Sequence, residues 1–344
     1  MSVSFSTIWT QWFPPNGPLN EHNLSSQVGK VFIVTGGASG LGYVLSRILY
    51  GAGAKVYILT RSKERANQAI ANIKSEVKDD GRQLGSLEFI PMDLMDFETV
   101  KSAALEFLNR EAGPDGRLDV LFNNAGTGGR KNAPKGAQGH EYHMTTNLLG
   151  GFILTQHLLP ILSRTANRQG SLPGTVRVVW PASVLVELGA PLSGINKDWL
   201  QDPGLDMDYV ELYSQSKAGV WFLASEFARR QSPSQNGVLF IAGNPGTYNT
   251  GMWQYTPTLL KWLFRPIMRD PSVHGADTYL WMGFSKSVTI DDAIAGRYAM
   301  CDGRWHSGQR GDLLLALRSE QEGGSGRASE LFEWCENATR AFLP

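Results

Sequence analysis

Tyr213 and Lys217 stand four residues apart at the start of a stretch with helical spacing, 210–231. Residues i and i+4 of a helix share a face, so the ammonium would sit beside the phenol. A cation there favours phenolate and lowers a pKa that is ordinarily about 10, bringing Tyr213 into range as a general acid or base near neutrality. Ser183 follows an apolar strand and can donate a hydrogen bond to a carbonyl oxygen on which negative charge develops. A second chemistry is written between Lys30 and Gly42, where an apolar run enters the turn Thr35-Gly36-Gly37-Ala38-Ser39-Gly40-Leu41-Gly42. Glycines at a strand-to-helix turn let backbone approach a pyrophosphate, and the helix N-terminus adds free N–H groups and partial positive charge. The T-G-x-x-x-G-x-G spacing differs from the G-x-G-x-x-G of larger dehydrogenases.

These groups need a scaffold, and the chain alternates strand-like and helix-like segments as in βαβ units. Strands are expected at Val31–Thr35, Lys55–Leu59, Leu87–Ile90, Val120–Phe122, Val176–Trp180 and Val238–Ile241, with a last one near Arg297–Met300. Helices are expected at about 40–52, 63–78, 96–111, 141–163 and 210–231, with a final amphipathic one near Ala328–Phe342. The fold class is therefore α/β, a doubly wound parallel sheet with ligand at the carboxyl ends of its strands. One domain, 28–344, follows an irregular arm, 1–27, whose Trp9, Trp12 and Phe13 are expected to pack back on the body. Residues 186–209 read as a long loop over the active face, and 321–327 as a flexible linker.

Composition narrows the partners. Lys plus Arg and Asp plus Glu are 32 each, so no global field favours nucleic acid or an anionic membrane. No apolar run approaches the length of a transmembrane segment, and the start lacks the pattern of a secretory signal. Two cysteines, Cys301 and Cys335, fit a reducing compartment, so a cytoplasmic location is expected. The six histidines show no ligand spacing with Cys or carboxylates, and no metal is expected.

Further motifs fall at strand ends in order: Asp93-Leu94 after the third, Asn123-Asn124-Ala125-Gly126 after the fourth, and Asn244-Pro245-Gly246-Thr247 after the sixth. With these, the chain resembles the short-chain dehydrogenase/reductase family in its single-domain Rossmann form, over roughly residues 28 to 300. The ending extends the likeness toward 342, nearest retinol-dehydrogenase-like and fungal reductase members. The resemblance implies that Asn147, Ser183, Tyr213 and Lys217 form a catalytic tetrad, with Asn147 holding a water that links Lys217 to solvent. It implies a nicotinamide dinucleotide held by Gly36, Ser39, Gly40, Leu41, Gly42, Asp93, Leu94, Asn123, Asn124, Ala125, Gly126, Tyr213, Lys217, Pro245, Gly246 and Thr247, with Asp93 near the adenine. It also implies association through the helices at 141–163 and 210–231, so a homo-oligomer is a possible state. Two departures stand out: thirty residues separate Ser183 from Tyr213, and Trp180-Pro181-Ala182 precedes the serine where relatives often carry another hydroxyl.

After the second strand the chain reads Thr60-Arg61-Ser62-Lys63, with no carboxylate where one would bind the ribose of NAD. Arg61 can instead pair with a 2′-phosphate, which predicts NADP. Leu185, Leu188, Leu192, Trp199, Met252, Trp253, Tyr255, Leu259, Leu260, Trp262 and Leu263 favour a lipophilic ketone, aldehyde or alcohol as substrate, reduction being the expected direction. The segment 258–265 is read as ordinary packing ahead of a membrane-surface patch or a dimer interface. The other functional readings are a retired nucleotide-binding sensor of the same fold and a methyltransferase.

Overall fold

The computed structural model describes residues 4–78, 81–201, 208–231, 237–256 and 258–344. Short runs of branched and aromatic residues form β1 (Val31–Thr35), β2 (Lys55–Thr60), β3 (Ser86–Pro91), β4 (Val120–Phe122), β5 (Arg177–Pro181), β6 (Leu239–Gly243), β7 (Tyr298–Met300) and β8 (Arg304–Trp305). They make one eight-stranded sheet in the order β3-β2-β1-β4-β5-β6-β7-β8. Every pairing is parallel except β7 with β8, the edge hairpin that the sequence pattern did not reveal. β1, β4, β5, β6 and β7 are buried throughout, as expected for parallel strands covered on both faces. The sheet order reverses direction between β1 and β4, which opens a crevice at their carboxyl ends.

The helices are α1 (Phe5–Trp12), α2 (Gly40–Gly51), α3 (Lys63–Glu76), α4 (Phe97–Arg110), α5 (Gly150–Ala166), α6 (Leu185–Leu188), α7 (Lys197–Gln201) and α8 (Tyr209–Arg230). Shorter helices and Arg327–Thr339 follow. Helix α8 lies on β5 and β6, α4 pairs with α5, and Arg327–Thr339 packs on α8. Trp180 of β5, Phe227 of α8 and Phe240 of β6 stack in series, centroids 6.2 and 5.4 Å apart. Arg177 is buried in β5 and donates to the carbonyls of Gly174, Met282 and Ser285, each at 2.7 Å. Burial lowers its pKa to about 10.

Several expectations change. The arm is irregular only from residue 13 on: α1 precedes that stretch, buries Thr7 and Gln11, half-buries Trp12 and leaves Trp9 49% and Phe13 45% exposed, against the packing expected of those two. The helix expected at 141–163 begins with a π-helical turn, Met144–Leu149, before α5. Residues 186–209 carry α6 and α7, with 202–207 outside the described residues, and Trp199 is fully buried core instead of rim. The expected linker is ordered: a 3-10 turn at Glu320–Glu322 leads to bonds from Ser325 N to Leu315 O and Gly326 N to Arg318 O. The helix Thr258–Phe264 exposes Leu259 and Trp262 by 69% and 66%, so ordinary packing does not describe it; the side chain of Leu260 lies outside the described residues.

Candidate active site

The glycine turn closes on the loop after β4. Gly36 and Gly40 have φ of +66° and +55°, a left-handed region that side chains resist. A Cβ at Gly42 would meet Asn124 Nδ2 and the Gly36 carbonyl, both at 2.5 Å, so the turn is packed to the limit of bare backbone. Asn124 Nδ2 donates to Thr35 O at 2.8 Å, and Ala125 N donates to Thr35 Oγ1 at 2.8 Å. Tyr279, which no sequence signal singled out, donates its hydroxyl to Asn124 Oδ1 at 2.8 Å. Asn123 instead donates to Thr155 Oγ1 behind the sheet. Ser39 stands at the N-cap of α2 without spending its hydroxyl on the helix, which leaves that donor and the helix N–H groups facing the cradle. Leu41 packs against the core. Thr250, also missed, has its methyl 3.5 Å from where a Gly40 side chain would begin.

At the end of β2, Arg61 is largely exposed and its Nη1 lies 4.0 Å from Asp93 Oδ2. Ser62 caps α3 and donates to Glu64 Oε2 at 2.9 Å, so part of its capacity is already used. Asp93 accepts from Met95 N at 3.0 Å, whereas Asp96 is the residue that caps α4. Leu94 is buried against Gly150. Pro245 accepts from Thr278 Oγ1, Gly246 N donates to Asn244 Oδ1 at 3.0 Å, and Thr247 accepts from Arg269 N.

Asn147, Ser183, Tyr213 and Lys217 come together from three places in the chain: the π-helical turn, the loop after β5, and α8. Asn147 lies in the π-helical turn, a geometry that re-aims side chains within a helix. Its Oδ1 accepts from Thr127 N at 2.8 Å, and its Nδ2 donates to Ser216 Oγ at 2.9 Å. Gly219 lets α8 approach this turn, since a Cβ there would meet Leu148 at 2.9 Å. A side chain at Gly126 would begin 3.0 Å from Asn147 Oδ1 and 3.4 Å from Lys217 Nζ, so both polar ends converge on that backbone. Lys217 Nζ donates to the carbonyl of Pro181 at 3.0 Å. The proline that departs from the common pattern thus supplies an acceptor to the amine.

Lys217 Nζ lies 5.9 Å from the centroid of the Tyr213 ring, on the shared helix face the spacing implied. The Ser183 side chain is near enough to the Tyr213 hydroxyl to act on its titration, its Oγ accepts from Leu185 N at 3.2 Å, and the rings of His143 and Tyr213 meet edge-on with centroids 6.3 Å apart. Ser183 itself is fixed from β7: Tyr298, found only in the structure, donates to Ser183 O at 2.8 Å and accepts from Ser183 N at 3.2 Å. The expected lowering of the Tyr213 pKa does not hold. Burial raises it, only partly offset by the nearby Ser183 side chain, while burial lowers Lys217 to about 8. The protein alone therefore holds the phenol protonated beside an amine that parts with its proton more easily than usual.

Among the described residues no cluster suits a metal ion, and no helix is long and apolar enough to cross a membrane. The residues present do fit a dinucleotide: a glycine turn in which a Cβ at Gly36 or Gly42 would crowd its neighbours, an uncommitted hydroxyl and a helix N-terminus, with buried Asn147, Tyr213 and Lys217 and half-buried Ser183 beyond.

A family model described as short chain dehydrogenase matches residues 30–172. A short-chain dehydrogenase/reductase named bet4, from Neocamarosporium betae, is 37% identical over 346 residues, covering 99% of this chain and 95% of the relative. One from Phomopsis amygdali is 36% identical over 340 residues, covering 99% and 98%. Among solved structures, an uncharacterized protein from Mycobacterium paratuberculosis superposes with a TM-score of 0.64 at 24% identity, over 96% of this chain and all of that one. The Pseudomonas aeruginosa RhlG/NADP active-site complex superposes with a TM-score of 0.50 at 22% identity, over 88% and 94%. Those two share the fold; the end-to-end likeness to the fungal sequences goes further, and by it the chain belongs to the short-chain dehydrogenase/reductase family.

Proposed function

We propose that the protein is an NADP(H)-dependent oxidoreductase that reduces a ketone or aldehyde of a lipophilic small molecule. The observation that carries this reading is the convergence of the Tyr213 phenol, the Ser183 hydroxyl and the Lys217 amine beside the glycine turn. The cradle of Gly36, Ser39, Gly40 and Gly42 would hold the pyrophosphate, the turn from Asn123 to Gly126 would flank the adenosine ribose, and Lys217 and Pro245 to Thr247 would hold the nicotinamide half. When bound, the nucleotide supplies the hydride.

Ser183 polarises the substrate carbonyl, on whose oxygen negative charge then grows. Tyr213 donates the proton to that oxygen, a role suited to a phenol that burial keeps protonated. Lys217 offsets the phenolate left behind, and Asn147 supports resupply of its proton from solvent. Arg61 selects the 2′-phosphate by exchanging its loose approach to Asp93 for a charge-assisted pair. On the substrate side, Arg130 sits over the rings of Tyr255 and Tyr142, at 4.5 and 5.7 Å, and Met252 packs on Gly128. This apolar, aromatic rim suits a lipophilic carbonyl compound.

The test is NADPH oxidation across a panel of lipophilic ketones and aldehydes. Tyr213→Phe should cut kcat by about 10²–10⁴-fold and Ser183→Ala by about 10²–10³-fold, with NADPH still binding. Arg61→Ala should weaken NADPH by about tenfold and leave NADH unchanged. NADPH binding without turnover of any member of the panel would support the retired sensor instead.

A further inference from the structure

Helix α1 precedes the segment matched by the family model, yet its polar face is buried inside the molecule. Gln11 is 1% exposed and bridges two loops that border the candidate site. Its Nε2 donates to Glu187 Oε1 at 2.9 Å, and Glu187 lies in α6, directly after Ser183. Its Oε1 accepts from Asn244 Nδ2 at 2.8 Å, and the other end of Asn244 holds Gly246 N. One primary amide therefore links the loop after β6, assigned to the nucleotide, with the loop after β5, assigned to the substrate carbonyl. Only a group with a donor and an acceptor on one carbon can serve both partners at once.

The surroundings leave the link no substitute from solvent. His306 Nε2 lies 2.8 Å from Glu187 Oε1, and Gln309 Nε2 donates to the same oxygen at 3.3 Å. Glu187 Oε2 has no partner among the described residues, so the carboxylate is held through one oxygen by a cluster to which Gln11 belongs. The backbone of α1 is tied down as well: the Cys301 thiol donates to Gln11 O at 3.1 Å, and Arg304 donates to Thr10 O. Removing the amide would leave buried polar groups of Asn244 and Glu187 short of a partner, a cost that the two loops would relieve by moving.

We infer that Gln11 is a positioning residue, which makes α1 a strut that holds the nucleotide loop and the serine loop in mutual register. The inference rests on the oxidoreductase reading for what those loops bind. By linkage, α1 docking and nucleotide binding strengthen each other to the same degree.

Two measurements test it. NADPH affinity by calorimetry and kcat on a ketone substrate are compared for wild type, Gln11→Met and Gln11→Glu. The single variants should each weaken NADPH by about tenfold and lower kcat, Gln11→Glu more so because it sets two buried carboxylates together. In the unaltered protein, saturating NADPH should slow alkylation of Cys301, a thiol whose pKa burial pushes up to about 12 while α1 is docked. Wild-type affinity and kcat in Gln11→Met, or a Cys301 rate indifferent to NADPH, would overturn the strut. Failure of the wild-type protein to bind NADPH at all would overturn the oxidoreductase reading and the strut with it.

Discussion

The two sides of the crevice are built on different terms. On the nucleotide side, Gly36, Gly42, Thr35, Asn124 and Ala125 interlock through backbone and short polar side chains with almost no spare volume. Across from it, the stretch from Met252 to Val273 displays Tyr255, Leu259, Trp262 and Leu263 to solvent. The first wall tolerates almost no added atom, whereas the second is made of side chains that the core does not require.

The largest test of that contrast is Gly42→Ala. Overpacking of this kind costs roughly 1–3 kcal/mol, so nucleotide affinity should fall by about 10- to 100-fold in a titration; unchanged affinity would mean that the turn is not the cradle. An intermediate effect comes from pH. Lys217 titrates near 8 because it is buried, so kcat/KM should fall as pH rises through about 8, as its charge is lost. Its contribution to stability runs the other way: the unfolded chain holds that proton longer, so stability rises with pH between about 8 and 10.5. A rate profile flat to pH 9.5 would show that the ammonium is not needed. The smallest effect belongs to Trp262→Ala, expected to shift stability by less than about 0.5 kcal/mol with nucleotide affinity intact; a large loss in thermal melts would mean that this surface is structural after all.

Legibility in the sequence follows the same division. The strands and the glycine turn were readable because burial on both faces leaves a near-continuous apolar run and because a close backbone approach demands glycine. Asn147, Ser183, Tyr213 and Lys217 were readable from spacing and resemblance, and the structure brings them together. The sign of the Tyr213 shift was not: spacing shows the neighbouring cation, while desolvation depends on how completely α8 is covered. Tyr298, Tyr279 and Gln11 act through pairings across 115, 155 and 233 residues of sequence, and no local pattern announces such partners. Helix α1 misled for a related reason, since its polar side turns inward and its aromatic side outward.

The bond from Lys217 to Pro181 has a consequence for engineering. Because the amine is registered on a main-chain oxygen at the end of a central strand, its place depends on the path of β5 and not on neighbouring side chains. Chimeras that exchange the 248–273 segment with a relative should therefore change which molecule is accepted while inheriting the proton-handling apparatus intact.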